Sequence, residues 1–83
     1  MFLQLREEFG ADLLLFPMTL IVNGEPRSLP DGASVADLVR QIGLEHSACA
    51  VEVNKRLVPK ADHPNRPLGD GDSIEVVTLV GGG

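Results

Sequence analysis

The sequence predicts an α+β domain in which a mixed sheet of four to five strands packs on one main helix. Three observations support this prediction: β-rich segments separated by turn residues, one stretch with helical periodicity, and a length of 83 residues, which allows one small domain. Because a helix with one apolar stripe must bury that stripe, we expect it to lie on one face of the sheet.

The chain from Met18 onward opens with a predicted β-hairpin. The segment 19–22 (TLIV) is rich in β-branched and apolar residues, and it is followed by Asn23 and Gly24. Asn-Gly is a strong hairpin signal because both residues tolerate a positive φ. The segment 25–29 (EPRSL) is therefore predicted to be the returning strand.

One amphipathic helix is predicted after the turn 30–32 (PDG). Ser34 is a typical N-cap residue, and Asp37 three positions later completes a variant of the capping box. Gly43 is placed to end the helix in the left-handed conformation. The apolar positions between them follow the spacing i, i+3, i+4, i+7, which predicts one buried stripe: Val35, Leu38, Val39 and Ile42.

The second half of the chain predicts three further strands. The segment 48–53 (ACAVEV) is a third strand, residues 54–55 (NK) form a turn, and 56–58 (RLV) is a short fourth strand closed by Pro59. The last strand is predicted at 73–79 (SIEVVTL), after a tight turn of sequence GDGD.

The stretch between the fourth and last strands, 60–67, is predicted to be irregular because its prolines exclude a long element. Leu68 is the apolar anchor that follows it. The resulting order is β-β-α-β-β-β, and we expect the first and last strands, the most apolar, to be central. This order is the β-grasp, or ubiquitin-like, arrangement.

Composition excludes several classes of function. The net charge is −5 with scattered Lys and Arg, which argues against nucleic acid and anionic membranes and suits a partner with a basic face. A single cysteine, Cys49, excludes an internal disulfide, is typical of a reducing cytoplasm and is expected to be structural. Together with His46 and His63, both predicted to be solvated, it cannot form a closed zinc site. Asp70 and Asp72 lack the further ligands that calcium needs.

Residues 1–17 (MFLQLREEFGADLLLFP) differ in composition from the rest of the chain. They lack the pattern of a secretory signal, and they are too short and too charged to span a bilayer. We interpret them as an N-terminal extension, either an upstream-start artefact, which we favour, or a loosely attached arm. The domain proper is then predicted at 18–83.

The sequence ends in Val80 followed by Gly81, Gly82 and Gly83. Because glycine has no Cβ, such a tail can thread a narrow channel and let another backbone approach closely. Its chemistry is a terminal carboxylate without a steric shield, which suits activation as an acyl group inside another protein's active site. The alternative is an ordinary frayed chain end.

Two apolar residues beside this tail, Val77 and Leu79, are predicted to face away from the helix. This follows from the alternation of side chains along a strand. Exposed apolar patches often mark interaction sites, so we expect these residues, with Leu57 or Val58, to form a partner docking surface. The alternatives are a bulge that shifts the alternation, or coverage of the patch by residues 1–17.

Several short segments form a combination known from one family. They are VNGEP (22–26), LPDGASVADL (29–38), VN (53–54), VP (58–59) and LGDGDSI (68–74). With the terminal Gly-Gly pair, this combination resembles the ThiS family, the sulfur carrier proteins of thiamine thiazole biosynthesis. The resemblance covers residues 18–83 and leaves the first seventeen residues unmatched.

The resemblance implies that the chain is a protein cosubstrate and not an enzyme. An E1-like adenylyltransferase of the ThiF type uses ATP to adenylate the Gly83 carboxylate. Sulfur from a persulfide donor then displaces AMP and leaves a thiocarboxylate, which a thiazole synthase of the ThiG type accepts. Gly81 and Gly82 thread the partner's active site, and the family implies no catalytic residue, metal or permanently bound cofactor in the carrier.

Two other functions remain open at this point. Sister carriers, such as the small subunit of molybdopterin synthase or a tRNA-thiolation carrier, share the tail, although the short core and early Asn-Gly hairpin favour the thiazole branch. A regulatory or RNA-associated module of the TGS type has a similar Leu-Pro-Asp-Gly helix entry. That module usually lies inside a longer protein, and the lack of basic surface here counts against it.

Overall fold

The computed structural model describes residues 17–79, in which one α-helix packs against a five-stranded mixed sheet. The prediction of a β-grasp arrangement is confirmed, with five strands. In chain order the elements are β1 (Met18–Val22), β2 (Glu25–Leu29), α1 (Val35–Gln41), β3 (Cys49–Val53), β4 (Arg56–Val58), a 3₁₀ helix (Lys60–Asn65) and β5 (Ser73–Thr78).

The strands lie in the order β2-β1-β5-β3-β4. β1 and β5 are parallel, with Ile21 opposite Ser73 and Val22 opposite Ile74, and the other three pairs are antiparallel. The predicted central position of the first and last strands is therefore confirmed. β5 pairs with β3 from Ile74 to Thr78 and with β1 only at Ser73 and Ile74, so the end of the strand that leads to the glycine tail is held by β3.

The predicted ends of α1 are both confirmed. The hydroxyl of Ser34 accepts a hydrogen bond from the N–H of Asp37 at 3.2 Å, and the Asp37 carboxylate accepts one from the N–H of Ser34 at 2.9 Å. These reciprocal bonds are a capping box. At the other end Gly43 has a φ of +83°, and its N–H donates to the carbonyl of Arg40 at 3.0 Å.

An aliphatic core lies between α1 and the inner face of the sheet. Ile42, Leu44 and Cys49 are partly buried and pack against this core. The buried residues of the core are Met18, Leu20, Val22, Leu29, Ala33, Val35, Leu38, Val39, Val51, Val53, Val58, Leu68, Ile74 and Val76.

Within residues 17–79 no helix is long and apolar enough to cross a membrane.

The stretch after β4 differs from its prediction. Residues predicted to be irregular form the 3₁₀ helix, and His63, predicted to be solvated, is only 6% exposed. The prediction for His63 is wrong because the 3₁₀ turn brings the imidazole inside, where Nε2 lies 3.1 Å from the carbonyl of Val58. A carbonyl can only accept, so Nε2 carries the proton. The side chain of His46 is 94% exposed, as predicted.

Candidate functional site

The last strand presents two different faces, as the alternation predicted. Ile74 and Val76 are buried at 0% and 7% exposure, whereas Val77 and Leu79 are 56% and 58% exposed. We call the sheet face opposite α1 the outer face. The predicted exposure of Val77 and Leu79 is confirmed, while their role in docking stays a prediction.

Thr78 departs from the predicted alternation. It follows Ile74 and Val76 at the two-residue spacing of the side of β5 that faces the helix, yet its side chain is exposed. The reason is its place at the end of the sheet, opposite the half-buried Cys49. Cys49 packs against the core, which fits the structural role expected for it.

The two residues of β4 that were proposed to extend the docking surface point to opposite faces of the sheet. Leu57 is 65% exposed and lies opposite Glu52 of β3 on the outer face. Val58 is 7% exposed and lies opposite the core residue Val51. Of these two alternatives only Leu57 lies on the outer face, and Val58 is excluded from that face because neighbouring residues of a strand point to opposite faces. The exposed apolar residues Leu57, Val77 and Leu79 form what we call the outer patch.

Two residues of β3 were missed by the sequence reasoning. Ala50 lies opposite Val77, and Glu52 lies opposite Glu75, so both share the outer face with the patch. The sequence carried a signal for this, because Glu52 alternates with the apolar residues Val51 and Val53, which are buried in the structure. It could be used only once β3 was known to be the neighbour of β5.

The start of the C-terminal segment is held against the sheet. The N–H of Leu79 donates to the carbonyl of Ala48 at 2.9 Å, one residue beyond the end of β5. The carrier residues predicted from the tail, Gly81, Gly82 and Gly83, lie outside the described residues. Their roles stay predictions, and the last described residue, Leu79, belongs to the outer patch.

The turn before β5 fixes where that strand begins. Asp72 accepts hydrogen bonds from the N–H of Gly69 at 2.8 Å and from the side-chain amide of Asn54 at 3.0 Å. Asn54 in turn accepts one from the N–H of Ser73 at 3.0 Å, and Asp70 accepts one from a backbone N–H of β1. Asp72 therefore holds the backbone in the predicted turn, whereas Asp70 ties the turn to β1. Among residues 17–79, no group of three or more His, Cys, Asp or Glu could hold a metal.

A cleft of about 240 Å³ lies on the other side of the sheet, between the end of α1 and the 3₁₀ helix. Val39, Leu44, Cys49, Lys60 and His63 are among its lining residues. The Nε2–H of His63 donates to the backbone carbonyl of Val58, so this histidine has a structural hydrogen bond inside the domain. The outer face and tail are the stronger candidate for function.

The ThiS family model matches residues 20–83. The chain belongs to the ThiS family. Among its relatives, the sulfur carrier protein ThiS of Thermus thermophilus is 40% identical over 62 residues, which cover 75% of this chain and 95% of that protein. The solved structure of the thiamine biosynthesis protein ThiS from Geobacter metallireducens matches with a TM-score of 0.68 and 26% identity. It covers 80% of this chain and 100% of that one.

A second kind of relative is much longer than this chain. The thiazole synthase of Paramagnetospirillum magneticum is 36% identical over 66 residues, which cover 80% of this chain and 20% of that enzyme. The chain thus spans about a fifth of the length of that relative. The ThiS resemblance is confirmed, whereas the predicted boundary between residues 17 and 18 stays a prediction.

Proposed function

We propose that this chain is a sulfur carrier for thiazole formation in thiamine biosynthesis, and that it acts as a protein cosubstrate. The observation that carries the proposal is the ThiS family match over residues 20–83, a range that includes the glycine tail. Carriers named ThiS in Thermus thermophilus and Bacillus subtilis, 40% and 38% identical to this chain, support it.

The reacting group in this proposal is the carboxylate of Gly83. A carboxylate is a poor acyl donor until it carries a good leaving group. An E1-like adenylyltransferase supplies that group by joining the carboxylate to the AMP part of ATP and releasing pyrophosphate. The outer sulfur of a persulfide donor then displaces AMP and joins the carrier to the donor as an acyl disulfide. A second thiol cleaves that S–S bond, forms a disulfide with the donor sulfur and releases the carrier with a terminal thiocarboxylate.

The outer patch has a distinct task, which is to hold the carrier while the tail reacts. Residues 80–83 span at most about 13–14 Å when fully extended, so the partner's active site must lie within that distance of Leu79. Glycine residues at 81 and 82 let the tail fit a narrow channel. Since the tail itself offers little surface, we assign most of the affinity to Leu57, Val77 and Leu79.

A thiazole synthase is the proposed acceptor of the sulfur. The thiazole synthase of Paramagnetospirillum magneticum contains a region that is 36% identical to this chain, and that of Magnetococcus marinus contains one that is 35% identical. A carrier-like region within the same polypeptide as a thiazole synthase favours thiazole synthase as the acceptor over the molybdopterin and tRNA-thiolation alternatives.

Exchange of labelled pyrophosphate into ATP tests the activation step. We expect a cognate E1-like enzyme to catalyse exchange only when the carrier is present, and removal of Gly82 and Gly83 to abolish it. Cys49→Ser is the matched control, because the mechanism does not use the thiol, and it should support exchange at the wild-type rate. Exchange that persists without the two glycines, or that fails with Cys49→Ser, would contradict the proposal.

A further inference from the structure

Two glutamates lie opposite each other in the middle strands of the outer face. Glu52 of β3 is directly opposite Glu75 of β5, and both side chains are exposed. Directly opposed residues of antiparallel strands have Cβ atoms about 4.5–5.5 Å apart, and like charges in such a pair are destabilising. The like charges of Glu52 and Glu75 therefore disfavour this pairing in the isolated chain.

No ion pair within residues 17–79 neutralises these like charges. In that range the guanidinium of Arg40 pairs with Asp37 at 3.2 Å, and the imidazole of His46 lies 3.9 Å from the carboxylate of Glu45. Both of these involve residues outside the sheet. Neither glutamate therefore has a salt-bridge partner within the described part of the domain.

Apolar residues border the acidic pair on two sides. Leu57, 65% exposed, lies opposite Glu52 on β4, and Val77, 56% exposed, is two residues beyond Glu75 on β5. A partner that covers the outer patch also covers the acidic pair. Each carboxylate then loses water, which is costly unless the partner supplies a positive charge with hydrogen-bond donors.

The pair itself indicates which kind of cation fits. A calcium ion takes six to eight oxygen ligands, whereas the described residues contain no metal-holding group of three or more acidic, His or Cys side chains. A second copy of this chain would bring two acidic pairs together. A guanidinium group presents five N–H donors in a planar fork that can bond both carboxylates, and its hydrocarbon stem tolerates apolar neighbours.

We propose that the outer face docks on a protein surface that presents an arginine side chain between Glu52 and Glu75. The inference rests on the proposed function, which identifies the E1-like adenylyltransferase as a partner of this face. In the complex the guanidinium bonds both carboxylates, while Leu57 and Val77 contact apolar side chains around it. The acidic pair thus makes the face selective for a partner with a correctly placed arginine.

Binding of the full chain to the cognate E1-like enzyme, measured by isothermal titration calorimetry, tests this inference. Neutralisation of both acids in the variant Glu52→Gln/Glu75→Gln should weaken binding by about 30-fold or more, because it leaves the partner's arginine unpaired. The matched control Asp31→Asn/Asp62→Asn changes the net charge equally at exposed positions outside the sheet and should bind as wild type. Urea unfolding should show that the Gln variant is at least as stable as wild type.

The outcomes separate this inference from the proposed function. If the Gln variant binds as wild type while Val77→Ser/Leu79→Ser does not bind, the arginine contact is wrong and the docking surface stands. If neither variant changes the affinity, the outer face is not the interface, and both the arginine contact and the docking role of the outer patch are wrong. Tighter binding by the Gln variant would mean that the two carboxylates oppose the partner surface, and it would overturn the inference.

Discussion

The side-chain amide of Asn23 binds the backbone of Val76 through two hydrogen bonds. The N–H of Val76 donates to Oδ1 at 2.8 Å, and Nδ2 donates to the carbonyl of Val76 at 3.1 Å. Asn23 lies in the turn after β1 and has a φ of 51°. Its amide acts like one more peptide group of β1, and it extends the parallel pairing with β5 to the residue before Val77.

Replacement of Asn23 by glycine tests this arrangement. Glycine keeps the positive φ but loses both bonds to Val76, so we expect the free energy of unfolding in urea to fall by about 1–3 kcal/mol. Lys55→Gly is a matched control, because Lys55 also has a positive φ, of 72°, in a hairpin turn. It should be neutral or stabilising. Equal stability of Asn23→Gly and wild type would show that the amide bonds contribute nothing.

The outer patch should be needed for binding and dispensable for folding. Val77 and Leu79 are more than half exposed, so Val77→Ser/Leu79→Ser should leave the unfolding free energy within about 0.5 kcal/mol of wild type. The same variant should abolish complex formation with the E1-like enzyme, because it removes the apolar surface that the partner covers. Calorimetric titration measures the binding, and unchanged affinity would remove the docking role.

Burial makes His63 a structural residue. Truncation in His63→Ala removes a side chain that is 6% exposed and its hydrogen bond to the carbonyl of Val58, so stability in urea should fall by about 2–4 kcal/mol. His46→Ala is the control, since the side chain of His46 is 94% exposed, and its effect should stay within about 0.5 kcal/mol. A similar small effect for both variants would contradict the buried position.

The capping box makes part of the stability depend on pH. The N–H of Ser34 donates to Asp37, and this bond, with the Arg40 guanidinium at 3.2 Å, outweighs burial and holds the pKa of Asp37 below its ordinary value of 3.8. Because the folded pKa is the lower one, the ionised carboxylate stabilises the fold above the unfolded pKa. That contribution is lost as the pH falls through the folded pKa.

The variant Asp37→Asn tests this dependence. At neutral pH it should be less stable than wild type by about 0.5–1 kcal/mol. The difference should shrink as the pH falls below 3.8 and through the lower pKa of the folded state, where the wild-type carboxyl also becomes neutral. Urea titrations of both proteins across this range measure the gap. A gap that persists unchanged at the lowest pH would mean that the charge of Asp37 does not stabilise the helix.

Local sequence signals predicted most of the fold. The Asn-Gly turn, the Ser34–Asp37 capping box and the helix end at Gly43 depend on residues close together in the chain, so their patterns were readable directly. The alternation of β5 was readable for the same reason, and it placed Val77 and Leu79 correctly.

The features that sequence reasoning missed depend on contacts between distant segments. His63 is buried because the 3₁₀ helix lies against the end of β4, and the sequence alone does not show that a carbonyl is available there. The second role of Asn23 requires Val76, which lies 53 residues away. The pairing of Glu52 with Glu75 likewise depends on the register of two strands that are not consecutive.

Intact-protein mass spectrometry tests the carrier proposal most directly. The full chain is incubated with ATP, a cognate E1-like enzyme and a sulfide source, beside a chain that lacks Gly82 and Gly83. The proposal predicts a mass gain equal to the exchange of one oxygen for one sulfur, located at the C-terminus and absent from the shortened chain. No gain with an enzyme shown to be active, or an equal gain in the shortened chain, would contradict a thiocarboxylate formed on Gly83.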